Sequence, residues 1–471
     1  MTHTSPPATE PATRLLAEAL ATARYEDLGA ETIEHARRAV IDWLGSALAG
    51  AVEPAARMAQ RVVAGLGASS DATVFAAGRS SSAGAGLANG VATHILELDD
   101  VHKGSTLHAA APVIPAALAV AEREHSTGHE FLLSVVVGYD AALRIGEAVN
   151  PSHYRFWHPT GTAATFGAAA AAASLLRLTP TQTIDALGSA GTQAAGLWEF
   201  NADGAMSKHL HPGKAAFNGV LAADLARAGF TGATRILEGD RGFFRATSAS
   251  YDADRVTDRL GQEWKIGENC YKLHSCCGHT HTAIDVAVEM RAARNWSHGE
   301  APHHIAEITI ETYGPGFEVV KQQNPRTPYQ AKFSLAYCVA AALCEGLVEL
   351  EQFSPDRFGP VGVCDPSIVA LLARTRVVVA DDLTAKYPAA WPARLAITLA
   401  DGTVLRGASD FPRGNPENPV TTTELERKLV ALVSARLGPE LARRALGAAR
   451  AVGERSDMAE AFREFGVVEV A

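Results

Sequence analysis

Three stretches of this chain consist mainly of alanine, glycine and a few aliphatic residues. They read "AGAGLANGVATHILEL" (83–98), "TFGAAAAAASLL" (165–176) and "KAAFNGVLAADLARAGF" (214–230). Alanine is the strongest helix former. Small residues on a helix surface bring neighbouring axes close together, because interaxial distance follows the side chains at the contact. Such segments predict central helices packed against one another. The N-terminal part extends this pattern. Leu15, Leu16, Ala19 and Leu20, then Ile33, Ala36, Val40, Ile41 and Leu44, recur at helical spacing. They predict two amphipathic helices joined near Gly29. The first dozen residues are polar and rich in Pro and Thr, and read as an arm.

The pattern changes after residue 265. "HIAEITIETYG" (304–314) alternates and is β-branched, and "TRVVVADD" (375–382) is similar. "ARLAITLADGTVLRGAS" (393–409) reads as a strand, an Asp-Gly turn and a second strand. "AKFSLAYCVAAALCEG" (331–346) between them reads as a helix. The tail returns to an amphipathic helix, with Thr423 and Glu426 spaced as a capping box. A chain of 471 residues exceeds what one core usually covers. The reading is therefore mainly α: a large all-helical domain formed by both chain ends (1–267 and 412–471), with a smaller α+β domain (268–411) inserted.

The formal charge is −10, and no basic block with interleaved aromatics is present. Nucleic-acid binding is disfavoured on that ground. The six cysteines do not form a disulfide framework pattern. The N-terminus lacks a basic region followed by an apolar core, and neither nearly uncharged run (108–121, 159–176) reads as a membrane span. A cytoplasmic protein with reduced thiols is expected. "GAGLANG" lies inside a helical pattern rather than after a strand, so it does not indicate a dinucleotide cofactor.

Four segments carry the chemistry. "LELDDVHKGSTLH" (96–108) crowds Glu97, Asp99 and Asp100 together, followed by His102 and His108, ahead of an apolar helix with Pro112 or Pro115 near its start. Carboxylates bunched this tightly need cations or hydrogen bonds. "FWHPTGTAATFG" places His158 and Thr160 before a small-residue helix. "GAMSKHLHPGKAAFNG" gathers Lys208, His209, His211 and Lys214, with Pro212 marking a helix start. "NCYKLHSCCGHTHTAID" (269–285), at the domain junction, holds Lys272, Cys276, Cys277 and His279. Zinc is not the favoured reading there, because four-ligand sites normally use two separated ligand pairs. Tyr337 alone reads as a core residue. Together these residues suit proton abstraction next to a carboxylate, with cations stabilising the enolate that develops. Dehydration, decarboxylation and epimerisation share that intermediate. A carboxylate-binding protein without turnover is the alternative from another class. No GxSxG elbow is present.

The order and content of these motifs resemble the MmgE/PrpD family, which includes 2-methylcitrate dehydratase, cis-aconitate decarboxylase and iminodisuccinate epimerase. The lines that carry the resemblance are "HILELDDVHKGSTLHAAAPVIPAALA", "HPTGTAATFGAAAAAA", "GAMSKHLHPGKAAFNGVLAADLARAGFTGATRILEGDRGFF", the Lys272–His281 segment and "AKFSLAYCVAAAL". The resemblance implies a helical domain with an α+β lid, an active site between them, a homodimer, and no metal or cofactor. It implies a lyase acting on a small di- or tricarboxylate, of the 2-methylcitrate dehydratase kind, with decarboxylase or epimerase as alternatives. By matched position, His108, His158, Lys208, Lys272, Tyr337 and Asp99 are the expected catalytic residues. Glu97, Asp100, His102, Thr160, His211, Lys214, Cys277 and His279 are the expected substrate contacts. The chain departs from the family at three points. Glu97 stands where Asp is common, Ala109-Ala110 replace Pro-Gly after His108, and Cys277 stands where decarboxylase-type members carry histidine.

Overall fold

The structure is a computed structural model that describes residues 11–67 and 69–468. Most of the expected N-terminal arm lies outside the described residues. The small-residue segments form the helices Ser82–His94, Ala163–Leu175 and Ser207–Arg227. These pack with Ala110–Arg123 and Gly128–Val149 into the centre of the molecule. The Ala163–Leu175 helix is apolar on every side and almost wholly buried, as a central helix must be. Glycine permits two of the closest crossings. A Cβ on Gly90 would sit 2.8 Å from Gly213 Cα, and one on Gly167 would sit 2.5 Å from the Gly138 carbonyl oxygen.

The principal core includes Leu16 and Trp43 near one chain end and Leu429, Val433 and Phe465 near the other. Helix Thr422–Leu437 packs directly on Ala30–Gly50. Its capping box is Thr421 with Glu424, two residues earlier than the Thr423–Glu426 pair expected from sequence. Thr421 has the extended backbone an N-cap requires, whereas Thr423 is already helical. Pro115 and Pro212 also lie inside their helices rather than at the starts, which are Ala110 and Ser207.

A second core runs from Cys276 to Leu399. Its sheet has the order Thr375–Val379, Ile305–Thr312, Ala393–Leu399, Val404–Ser409. The first pair is parallel and the others antiparallel. Ala393–Leu399 alternates strictly between buried and half-buried positions. Its hairpin partner turns at Gly402, where φ is +84°. Helices His281–Ala293 and Leu335–Glu345 pack on this sheet. The first of these was not foreseen as a helix. No described helix is long and apolar enough to cross a membrane.

Candidate active site

The acidic stretch leaves helix Ser82–His94 through a strained turn. Glu97 has φ +58°, a left-handed conformation that costs a non-glycine residue energy and needs surrounding support. That support comes from both cores. Lys332 Nζ and Ser275 Oγ, from the α+β side, donate to the Leu96 carbonyl at 2.9 and 2.7 Å. Lys428, from helix Thr422–Leu437, donates to the Leu98 carbonyl and to Asp42, each at 2.6 Å. Val101 and Cys270 exchange backbone hydrogen bonds of 2.8 and 2.9 Å. This pairing brings the junction segment, and Lys272 with it, beside the acids.

Each acid has a different partner. The Glu97 carboxylate contacts the Lys208 ammonium and lies 3.6 Å from Lys272 Nζ. Burial works against its charge, but Lys208, His94 and Lys272 outweigh that and hold its pKa well below the usual range. Asp99 Oδ2 accepts from His94 Nδ1 at 2.7 Å and lies 3.7 Å from His108 Nδ1. Burial opposes this charge too, and the two histidines overcome it. Asp100 turns away from the cleft. It accepts from Tyr139 Oη (2.6 Å) and from the Ala110 amide (3.0 Å), which caps the following helix. Burial, with Asp99 close by, pushes its pKa up to about 7.

The histidine tautomers follow from these bonds. His108 Nδ1 lies 2.5 Å from the Asp100 carbonyl, which can only accept, so Nδ1 carries the proton and Nε2 offers a lone pair. The His108 amide donates to Thr160 Oγ1 at 3.1 Å. His158 shares a 3.0 Å Nδ1–Nδ1 hydrogen bond with His211. Burial drives His108 down to about 3 and His158 well below its normal value, so both are neutral bases at pH 7. His279 Nδ1 bonds Tyr313 Oη at 2.6 Å and its Nε2 bonds Tyr154 Oη at 3.1 Å. That histidine therefore links the two cores across the cleft.

These side chains enclose a cavity with about 20 Å³ open to the centre of a water molecule. Its lining includes Glu97, His108, His158, Lys208, Cys277 and His279, closed by Tyr154, Trp198, Phe333 and Trp391. Phe333 also faces the Lys208 ammonium, 4.9 Å from its ring centre. Burial raises the Cys277 thiol to about 11, so it is neutral. A larger groove of about 540 Å³, lined by Arg155, Trp157 and Arg245 among others, shares no residue with this cavity.

Several expected contacts lie elsewhere. Tyr337 is packed in the second core against Phe353 and Phe358, and its hydroxyl donates to the Gln352 carbonyl. It does not reach the cleft, because the helical spacing that makes it a core residue points it inward. His102 faces Ser105 and Glu268 at 2.9 and 3.3 Å. Lys214 donates to the Gln193 carbonyl at 3.0 Å. Sequence reasoning missed His94, whose ring centre lies 4.8 Å from that of His108 and 5.6 Å from that of His158. Its signal was a histidine three residues before the acid cluster, at a helix end. One ligand atom from each of His94, His108 and His158 lies within 4.8 Å of the others, close enough to share a cation.

Family models for the MmgE/PrpD N-terminal domain and C-terminal domain match residues 14–255 and 274–453. The chain belongs to the MmgE/PrpD family. Among curated relatives, it is 28% identical to the cis-aconitate decarboxylase-like protein oryM of Aspergillus oryzae, covering 92% of this chain and 93% of that protein. It is 28% identical to the cis-aconitate decarboxylase of Aspergillus terreus, over 70% of this chain and 71% of the relative. With the human cis-aconitate decarboxylase the identity is 26%, over 85% and 83% of the two chains. Within this MmgE/PrpD chain, the two matched domains meet near the Lys272 segment that faces the acids.

Proposed function

We propose that this MmgE/PrpD protein is a lyase that acts on a small di- or tricarboxylate through a carbanion next to a carboxylate, with decarboxylation as its leading reaction. The observation that carries the reading is the pairing of neutral, buried His108 and His158 with the Lys208 ammonium in one closed cleft, with Lys272 3.6 Å from the Glu97 carboxylate that lines it. The names of the relatives support decarboxylation over the other outcomes. In that reaction the bond to the departing carboxylate breaks and CO2 leaves. The electron pair delocalises towards a second carboxylate held by the lysines. A histidine that has taken up a proton from solvent then delivers it to carbon. Desolvation of the departing carboxylate in the closed cleft favours the loss of its charge as CO2.

Dehydration is the second reading. It draws support from Cys277, a neutral thiol where decarboxylase-type members carry histidine. Here His108 Nε2 would take the α-proton and pass it to the departing hydroxyl, which leaves as water. The small α+β unit serves as a lid in either case, because about 20 Å³ admits roughly one water and no dicarboxylate. Proton NMR with cis-aconitate, 2-methylcitrate, iminodisuccinate and the dicarboxylates glutaconate and citramalate separates the reactions. Loss of CO2 establishes decarboxylation, loss of water establishes dehydration, and inversion at constant mass establishes epimerisation. Unchanged spectra for the whole panel would leave a carboxylate binder.

A further inference from the structure

Decarboxylation consumes one proton from solvent per turnover, because CO2 leaves and a hydrogen takes its place on carbon. The cavity behind Tyr154, Trp198, Phe333 and Trp391 admits roughly one water, so a closed cleft that holds substrate has no column of water to bulk. The proton must then cross the wall through side chains. The two cavity histidines differ in what stands behind them. His108 Nδ1 donates to the Asp100 carbonyl, which has no proton to give. His158 Nδ1 meets a second imidazole, His211 Nδ1, at 3.0 Å.

His211 belongs to helix Ser207–Arg227 and does not line the cavity, contrary to its expected place among the substrate contacts. It is 9% exposed, against 1% for His158, so it is the member of the pair that solvent reaches. Its ring is closely fitted. A Cβ on Gly161 would sit 3.0 Å from His211 Cβ, and one on Gly196 would sit 3.2 Å from His211 Nδ1. The Gly196 carbonyl also accepts from the His158 amide at 2.9 Å. Trp198 covers His158 at 5.0 Å between ring centres, and Phe200 covers His211 at 5.5 Å. Burial, with His94, Lys214 and Lys208 nearby, lowers His211 to about 3, and burial lowers His158 too, so both rings are neutral at pH 7. Two neutral imidazoles hold two N–H protons. One occupies the Nδ1–Nδ1 bond, and the ring that accepts in that bond carries the other on Nε2.

We propose that His211 relays protons between solvent and His158, and that His158 rather than His108 protonates the substrate carbon. This rests on the decarboxylase reading above and deepens it. The step begins with His158 as acceptor in the shared bond, so that it carries a proton on Nε2. That proton goes to the carbanion. The shared proton crosses from His211 Nδ1 to His158 Nδ1, and His211 Nε2 takes one from water. Each ring is neutral before and after. The two tautomers have been exchanged, and the opposite transfers restore them when the open cleft lets water reach His158 Nε2.

NMR of the full chain labelled with nitrogen-15 histidine tests the relay without turnover. The shared proton is expected as one resonance coupled to two ring nitrogens, absent in His211→Gln. It should exchange with water about tenfold or more faster than the His108 Nδ1 proton. Glutamine can hydrogen-bond His158 but cannot pass a proton on. On whichever panel acid the wild type consumes, His211→Gln is therefore expected to lose about tenfold or more in kcat, with KM little changed. A purely structural role predicts that glutamine preserves kcat. Wild-type kcat in His211→Gln would overturn the proposal, as would a shared proton that exchanges no faster than that of His108. The exchange comparison uses wild type alone and decides the matter if the variant does not fold. Fast exchange with no panel acid consumed sinks only the lyase reading. Turnover with slow exchange sinks only the relay.

Discussion

His94 Nδ1 donates to Asp99 Oδ2 at 2.7 Å, and neither side chain has any exposed surface. The same carboxylate oxygen lies 3.7 Å from His108 Nδ1, so one charge orients two imidazoles. Among the described residues, His94 Nε2 and Asp99 Oδ1 have no hydrogen-bond partners. Buried groups left unsatisfied at a functional cleft are a reserve for chemistry more than for stability. Asp99→Asn keeps the size of the side chain and removes the charge. We expect turnover to fall by about 100-fold, with a much smaller change in KM, because a positioned acid–base pair contributes on that scale. A loss confined to KM would show that Asp99 serves binding alone.

Asp100 makes stability depend on pH with a defined sign. Its carboxyl titrates near 3.9 in an unfolded chain and at about 7 when folded. Between those values the folded chain holds a proton that the unfolded chain has released, so folding is favoured at low pH. The contribution is fully present below about pH 4 and is lost as pH rises through about 7. Asn at this position has no proton to lose, and its amide can still serve Ala110 and Tyr139. The stability of Asp100→Asn relative to wild type is therefore expected to rise by about 2 kcal/mol between pH 5 and pH 8 in urea titrations. The lowered histidines act in the opposite direction, but they are common to both proteins and cancel in the difference.

The Tyr154–His279 hydrogen bond spans the two cores, at 3.1 Å. If the α+β unit opens to admit substrate, this bond breaks with it. One hydrogen bond is worth about 1 kcal/mol. Tyr154→Phe should therefore speed amide exchange across residues 275–282 by about fivefold, without altering exchange in the Ala163–Leu175 helix. Equal acceleration in both segments would mean global destabilisation rather than release of a latch.

Much of this cleft is legible in sequence because it is locally dense. Glu97, Asp99, Asp100 and His108 fall within twelve residues, and Lys208 and Lys272 stand out in an acidic chain. The helical centre is equally legible, since alanine and glycine runs tolerate little else. The supports are harder to see. Lys332 and Lys428 are ordinary surface-type residues until tertiary packing lays them on the Leu96 and Leu98 carbonyls. Tyr154 and Trp198 become walls only once their loops meet. Tyr337 shows the reverse case: matched position alone pointed to the cleft, while residue type and helical spacing already read as the core position it holds. Capping boxes are short and recur: the same run holds Thr421 with Glu424 as well as Thr423 with Glu426, and Thr421 is the one with the extended N-cap backbone.

The central claim is that the cleft histidines and lysines carry the chemistry. Its most direct test is the turnover rate, by NMR, of His158→Ala and Lys208→Ala on whichever panel acid the wild type consumes. Both variants should remain folded by thermal unfolding and lose about 100-fold or more in rate. Full wild-type activity in either would contradict the assignment.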